Sequence, residues 1–555
     1  MNTIKDYIQY IFFYNSDAPL IFTRLYFWIF FAIVLTFYSF LYKRKLLRSL
    51  YLFIISLFFY YKTSGFYFFL LIFSTITDFY IGKHIYNSRK QINKKLLLLL
   101  SVVINLSVLF YFKYAYLTVD VINQMFGTHF IVKDVLAESF NQLLGFHLDI
   151  SAIFLPVGIS FYTFQTMSYA IDLYRQKIKP LDNIIDFGFY VSFFPQLVAG
   201  PIVRASEFIP QIKKDYSLTK EDFGVATFLI LNGLLKKMIL ADYIAVNFID
   251  RVFANPLSYS GVENLIALFG YSLQVYADFS GYTDMATGVA LLMGFRLPKN
   301  FNYPYKAKNV GEFWKRWHIS LSSWLKDYLY IPLGGNRQGS FASYVVGSII
   351  LFIIIMLAKN EIVTFTIIIS VVLFWLLAKI SSKFKKWVNT NINLMLTMLL
   401  GGLWHGAHLK FVMWGGLNGV GLVIYKLWKK ISPYENTNSW IINIWRIAIT
   451  FVFITFTRAW FRADSFEKAT QVIYQILHNF HPEIIPAFVS GFKSVLIIML
   501  IGYIIHWLPD KWKDSFQHGF VTSPIYAKVI AVVVIVFIIY QARITNLQPF
   551  IYFQF

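Results

Sequence analysis

Cysteine is missing from all 555 residues. Its absence excludes disulfides, thiolate metal ligands and an S-acyl enzyme intermediate. Charge is scarce as well: Asp, Glu, Lys and Arg together make 14% of the chain, where a soluble domain carries about a quarter. Acidic residues are the scarcer sign, 28 against 50 basic, for a formal net charge of +22. In a soluble protein that excess would suggest nucleic acid. Here Lys and Arg gather in short loops between apolar runs, so membrane orientation explains them better. The opening residues, MNTIKDYIQYIFFYNSDAPL, lack a basic stretch followed by a small-residue cleavage site. The first apolar run is therefore expected to be a retained helix rather than a signal peptide.

What the chain does contain is apolar residues, 57%, of which aromatics make 20% of the whole. Apolar runs of about 17–25 residues recur, the length of a transmembrane helix. A bilayer admits only helices or closed barrels. The runs are continuous rather than alternating, which selects helices. The expected fold is all-α and polytopic, with roughly 11–13 spans plus re-entrant or interfacial helices.

The first span is expected at 18–42, followed by Lys43, Arg44, Lys45 and Arg48 on the cytoplasmic side. That places the N-terminus outside. A hairpin at 49–61 and 66–82 and a span at 96–117 lead to a longer outside segment, 118–150. From 151 to 300, Gly, Pro and polar residues interrupt the apolar pattern in LPVGISFYTFQ, FPQLVAGPIVR and YSLQVYADFSGYTDMATG. Interrupted helices at membrane depth belong where they line a cavity or are buried in protein. Residues 312–330 read as one amphipathic interfacial helix. Lys315, His318, Ser322 and Lys326 would form one stripe, and Trp314, Trp317, Leu321, Trp324 and Tyr328 another. Further spans are expected at 344–357, 361–378, 393–407, 411–427, 440–460, 489–508 and 524–540, which leaves the C-terminus outside.

Titratable groups at membrane depth are functional-site candidates by default. His405 lies between glycines in LLGGLWHGA, and His318 lies in WKRWHIS. Against the functional reading stands a core histidine bonded to a carbonyl, and for His318 an interfacial ring beside snorkelling lysines. Asp278, Ser280 and Asp284 suggest a structural network with Arg296, or a polar passage. Arg458 and Arg462 read as markers of a helix end at the outer face. Gly334-Gly335-Asn336 reads as a turn.

Several long strings carry a family resemblance: WKRWHISLSSWLKDYLYIPLGGNRQG, LLGGLWHGA, YSLQVYADFSGYTDMATG with GFRLPKNFNYPY, and FPQLVAGPIVR. The chain resembles the membrane-bound O-acyltransferase (MBOAT) family over about 150–340 and 390–465. It is most similar to the bacterial branch holding the membrane subunits of alginate and peptidoglycan O-acetylation and of teichoic-acid D-alanylation. The resemblance implies a ring of helices around a tunnel from cytosol to outer face. It makes His405 the catalytic residue and His318 its companion. It implies an acyl thioester donor at the cytosolic mouth, acetyl-CoA first, with no bound cofactor and no metal. The terminal FIYFQF (550–555) resembles an aromatic tail motif whose tyrosine, here Tyr552, receives the acyl group and presents it to an extracytoplasmic partner protein. An aromatic membrane anchor is the plainer reading of Tyr552. Two departures stand out: residues 340–390 insert two apolar runs, and His408 occupies a position more often small or polar.

The domain plan is then N-terminal helices at 1–150, a catalytic core at 151–465 with the inserted hairpin 340–390, and C-terminal helices with an acyl-carrier-like tail at 466–555. His405 would act as general base, since histidine suits removal of a hydroxyl proton near neutral pH. Gly402 and Gly406 would let a substrate approach the backbone. His318 would orient the donor or acceptor carbonyl. Lys315, Arg316, Lys326 and Arg337 would hold phosphates of the donor, or anionic lipid headgroups. The expected function is a multi-pass acyltransferase of a bacterial plasma membrane, acylating a cell-envelope polysaccharide with no nucleic acid involved. The rival is a transporter or flippase of an envelope precursor, which composition alone would favour.

Overall fold

The computed structural model describes residues 12–15, 19–145, 149–435, 437–542 and 550. The chain is all-helical, with 79% of residues in helices and no strand among those described. The continuous apolar runs dictate this, because a helix satisfies its own N–H and C=O groups where no water is available. Helix starts carry local signals. Ser260 and Glu263 form a reciprocal capping box at the head of Gly261–Leu292, and Thr219 and Asp222 do the same for Lys220–Leu235.

Among the described residues, six helical stretches are long and apolar enough to cross a membrane, or up to eight if two sharply bent helix pairs each count as one. Among the six are the inserted helices Phe341–Ala358 and Glu361–Ile380, close to the predicted 344–357 and 361–378. They are the most lipid-like part of the chain: apolar residues along both face outward. The expectation of 11–13 spans counts short, bent and polar helices together with these.

The chain divides into two compact units. One comprises residues 1–105, 157–321 and 443–555. Its centre is Gly261–Leu292, an unbroken 32-residue helix, packed along Lys220–Leu235. The sequence suggested an interruption within 271–288. There is none, and the two carboxylates there, Asp278 and Asp284, are paired sideways. Lys237 lies 2.7 Å from Asp242 and 2.5 Å from Asp278, all three buried. Lys236 lies 2.7 Å from Asp284, which also accepts from Asn232 at 2.8 Å. Arg296 takes no part in this network; it pairs with Asp222 at 2.6 Å. The predicted Asp278–Arg296 link is therefore replaced by lysines from the neighbouring helix, whose course loosens into π-helical turns at Lys236–Tyr243 and Ala245–Ile249. The other unit comprises 106–156 and 322–442 and contains the inserted hairpin and the paired helices Ser382–His405 and Leu409–Ile431.

Candidate functional site

His318 belongs to the first unit and His405 to the second. His318 does not sit as the sequence pattern suggested, whereas His405 lies in a helix over the expected 393–407 stretch.

The stretch 312–330 is not one helix. Val310–Arg316 stops at Trp317, whose backbone is extended, and Ile319–Leu325 starts afresh before π-helical turns at Lys326–Tyr330. Between them His318 adopts φ +43°, a left-handed conformation that costs a non-glycine residue about 1–3 kcal/mol. The single helix on which the two predicted stripes depend is thus broken at His318. Its ring is fully buried.

Asn300 over-determines the break. Its carbonyl oxygen accepts from Ile319 N at 2.9 Å. Its side-chain Oδ1 accepts from Ser320 N at 3.1 Å and from Ser320 Oγ at 2.8 Å, and lies 3.2 Å from His318 Nδ1. Ser320 Oγ in turn accepts from Ile202 N at 3.0 Å. A backbone N–H can only donate, so the Asn300 atom it meets is the oxygen, and His318 Nδ1 must carry the proton. The ring is then the neutral Nδ1–H tautomer with its basic lone pair on Nε2. An acceptor nitrogen cannot orient a carbonyl, the role expected from sequence; it can orient a hydroxyl. Phe279 meets the ring edge-on, centroids 4.6 Å apart at 89°. Against Phe279 and Tyr282 lies Phe550, fully buried, at 5.6 and 4.4 Å between ring centres. Tyr552 itself lies outside the described residues.

His405 is the last residue of Ser382–His405 and is 3% exposed. Trp404 and Trp414 both meet its ring edge-on, at 5.0 and 5.1 Å. The final carbonyls of a helix lack partners within it. Here Lys113 Nζ donates to Trp404 O at 2.7 Å and Tyr114 Oη to Leu403 O at 3.1 Å. Both donors come from the π-helical turn Phe110–Tyr114. An ammonium at a helix C-terminus also complements the helix dipole.

The glycines around His405 serve packing, not substrate approach. A Cβ on Gly402 would lie 2.2 Å from Phe411 O, and one on Gly406 would lie 2.1 Å from the Phe411 ring. Gly402 and Gly415 bring the two helices into backbone contact, fixing the angle at which the His405 turn is presented. His408 caps the second helix, accepting from Lys410 N at 3.1 Å through Nδ1. Burial first, then the Lys410 charge, hold this imidazole below its ordinary pKa, in keeping with an acceptor nitrogen.

The predicted phosphate-binding residues divide between the units: Lys315 and Arg316 in one, Lys326 and Arg337 in the other. Lys315, Lys326 and Arg337 are exposed, while Arg316 is tied to Glu312 at 2.8 Å and to Asn302 O at 3.1 Å. The GGNR segment is a turn, as expected. Gly334 at φ +117° and Gly335 at +54° make it, and Asn393 donates to Gly335 O and Gln338 O. Among the described residues no group of three His, Asp or Glu side chains forms a metal site.

Three residues escaped the sequence reading. Lys113, a lone cation inside an apolar run, was a legible signal under the same rule that singled out the histidines. Asn300 lies inside the GFRLPKNFNYPY string, but nothing in that string singled it out from its neighbours. Arg458 was placed only as a helix terminus.

Comparison with known proteins adds an independent line. A model of the membrane-bound O-acyltransferase family matches residues 174–354, a range that includes His318 and stops short of His405. A probable alginate O-acetylase of Pseudomonas putida is 32% identical over 478 residues, spanning 82% of this chain and 84% of the relative. A peptidoglycan O-acetyltransferase of Helicobacter pylori is 32% identical over 457 residues, 78% of this chain and 74% of that protein. A teichoic acid D-alanyltransferase of Bacillus subtilis is 28% identical over 316 residues, 54% of this chain and 67% of that one. Helices fit to cross a membrane and this breadth of likeness agree: the chain is a multi-pass membrane O-acyltransferase and belongs to the membrane-bound O-acyltransferase family.

Proposed function

We propose that this enzyme takes an acetyl group from a thioester on the cytosolic side, acetyl-CoA in the first instance, and passes it through a tunnel for O-acylation of a cell-envelope polysaccharide. His405 is the general base. A hydroxyl oxygen attacks the thioester carbonyl as His405 removes its proton. The tetrahedral centre collapses, the C–S bond breaks, and the imidazolium returns the proton to the leaving thiolate. A positioned base of this kind is worth about 10²–10⁴-fold. Lys315, Arg316, Lys326 and Arg337 attract the phosphates of the donor, the three exposed cations more readily than the ion-paired Arg316.

The observation that carries this reading is the buried His405 imidazole at a helix end pinned by Lys113 and Tyr114. A core histidine needs no such arrangement to be satisfied, whereas a base must be held at a fixed angle. His318, whose lone pair lies on Nε2 in this tautomer, fits a companion that positions the incoming alcohol. The buried Phe550 beside Phe279, itself against His318, supports a tail that brings Tyr552 to the reaction as acyl carrier for an extracytoplasmic partner protein. Both chain termini lie outside. Since the chain has no cysteine, single introduced cysteines near each end report sidedness cleanly.

The test is the O-acetyl content of envelope fractions from cells carrying His405→Ala. Loss to background is expected, and wild-type acylation by a stably inserted His405→Ala protein overturns the mechanism. For Tyr552, mass spectrometry of the C-terminal peptide after exposure to labelled donor should find the acyl group. Undiminished wall acylation by Tyr552→Phe removes it from the pathway. Labelled acetyl against labelled D-alanyl donor decides the acyl group, on which the relatives differ.

A further inference from the structure

Helix Trp440–Arg462 ends in two arginines one turn apart. Arg462 is conventional: it lies 2.6 Å from Asp250 and 3.7 Å from Asp464. Arg458 is not. It is 4% exposed, and no carboxylate lies within 4 Å of it among the described residues.

Arg458 is held through Nη1, which donates to Tyr305 Oη and, at 3.3 Å, to Ser272 O. Its guanidinium stacks in a cage of rings, 4.6 Å from the centre of Trp317, 5.2 Å from Tyr305 and 5.9 Å from Phe313. Aromatic faces attract a cation but leave its N–H donors unused. The donors on Nε and Nη2 have no hydrogen-bond partner among the described residues. A guanidinium keeps its charge whatever its surroundings, so it cannot escape burial by losing a proton. Buried charges are kept where they are paired or where they work. A planar fork with two edges open matches a carboxylate or a phosphate.

We infer that Arg458, caged by Trp317, Tyr305 and Phe313, is a binding site for an anionic group of a substrate. Trp317, the ring closest to the guanidinium, directly precedes His318, so the site is one residue removed from that imidazole along the chain. Its candidate ligands rest on the acyl-transfer reading: a phosphate of the thioester donor, or a carboxylate of a uronate polymer acting as acceptor.

The test measures binding without turnover, using purified full-length protein in lipid nanodiscs. Acetyl-CoA and a uronate hexasaccharide are titrated separately, with an uncharged chito-oligosaccharide as control. Wild-type protein should bind one anionic probe, and Arg458→Gln should weaken that probe by about tenfold or more, the scale of a lost charged hydrogen bond, with the neutral control unmoved. Weakening of acetyl-CoA assigns the phosphate; weakening of the uronate assigns the carboxylate. No binding of either anion by the wild type, or affinities within twofold in Arg458→Gln, overturns the inference. Should Arg458→Gln fail to assemble, Arg458→Lys keeps the charge but lacks the fork; it should weaken binding at least about threefold, and unchanged affinity sinks the proposal. This outcome is separable from the base mechanism, since either can fail while envelope acylation still responds, or not, to His405→Ala.

Discussion

His318 and His405 make an instructive pair. Both are buried, and both meet neighbouring aromatic rings edge-on. They are held by opposite means. His318 sits in a strained left-handed turn between two short helices, fastened by the side chain and carbonyl of one asparagine. His405 sits in regular helix at its last residue, placed by close glycine packing and by donors to the helix end. The first arrangement fixes a tautomer; the second fixes a direction. A residue that must present one particular nitrogen gains from the former. A residue that must gain and lose a proton gains from the latter, which sets the angle at which the ring is presented.

The largest effect that would sharpen this contrast is His405→Gln, which keeps bulk and polarity but cannot serve as a base. Acyl transfer should fall by about 10²–10⁴-fold, whereas His318→Gln, which retains an atom able to meet a hydroxyl, should fall by about tenfold. Steady-state rates with labelled donor would reveal it, and equal losses would erase the proposed division of labour. Next comes Asn300→Leu, which frees the His318 tautomer and turn. It should lower kcat by about tenfold to a hundredfold, as small misplacements of catalytic groups do, and the Asn300→Leu/His318→Gln double variant should lose little more than either single one. Additive losses would mean that Asn300 acts independently.

Smaller still is Gly402→Ala. The new methyl meets Phe411 O, so the helices must part, at a cost of about 1–3 kcal/mol. The thermal midpoint should fall by several degrees, read by fluorescence in detergent, and an unchanged midpoint would show that the helix contact is dispensable. Lys113→Met should have the least effect, about 1–2 kcal/mol of stability with a several-fold lower kcat and unaltered KM. Lys113→Arg should restore much of it. A rise in KM alone would make Lys113 a substrate contact rather than a brace.

The membrane class, the helical fold and most helix positions were legible in the sequence because they follow from apolar run length, a one-dimensional property. The inserted helices at 341–358 and 361–380 fell within a few residues of expectation for that reason. The 312–330 stretch misled because helical periodicity in WKRWHISLSSWLKDY is compatible with two short helices about a kink, and the kink is imposed by Asn300, a residue outside the stretch. Asp278 and Asp284 misled differently: their partners, Lys237 and Lys236, come from another helix, and no local pattern announces a cross-helix pair. Gly402 illustrates a third case, since a glycine beside a catalytic motif and a glycine at a helix crossing look alike until the opposing backbone is visible.

The Lys237–Asp242–Asp278 cluster carries a consequence for how the protein is made. A lysine or aspartate at the middle of a single helix costs about 2.5–3.5 kcal/mol during insertion from the translocon. Gly261–Leu292 carries carboxylates whose lysine partners arrive on the preceding segment, Lys220–Ala254. The two segments are therefore expected to enter the bilayer as a joined pair, the second waiting on the first, so that an Asp278→Asn chain would be found among the products of quality-control proteolysis rather than as an inactive resident of the membrane.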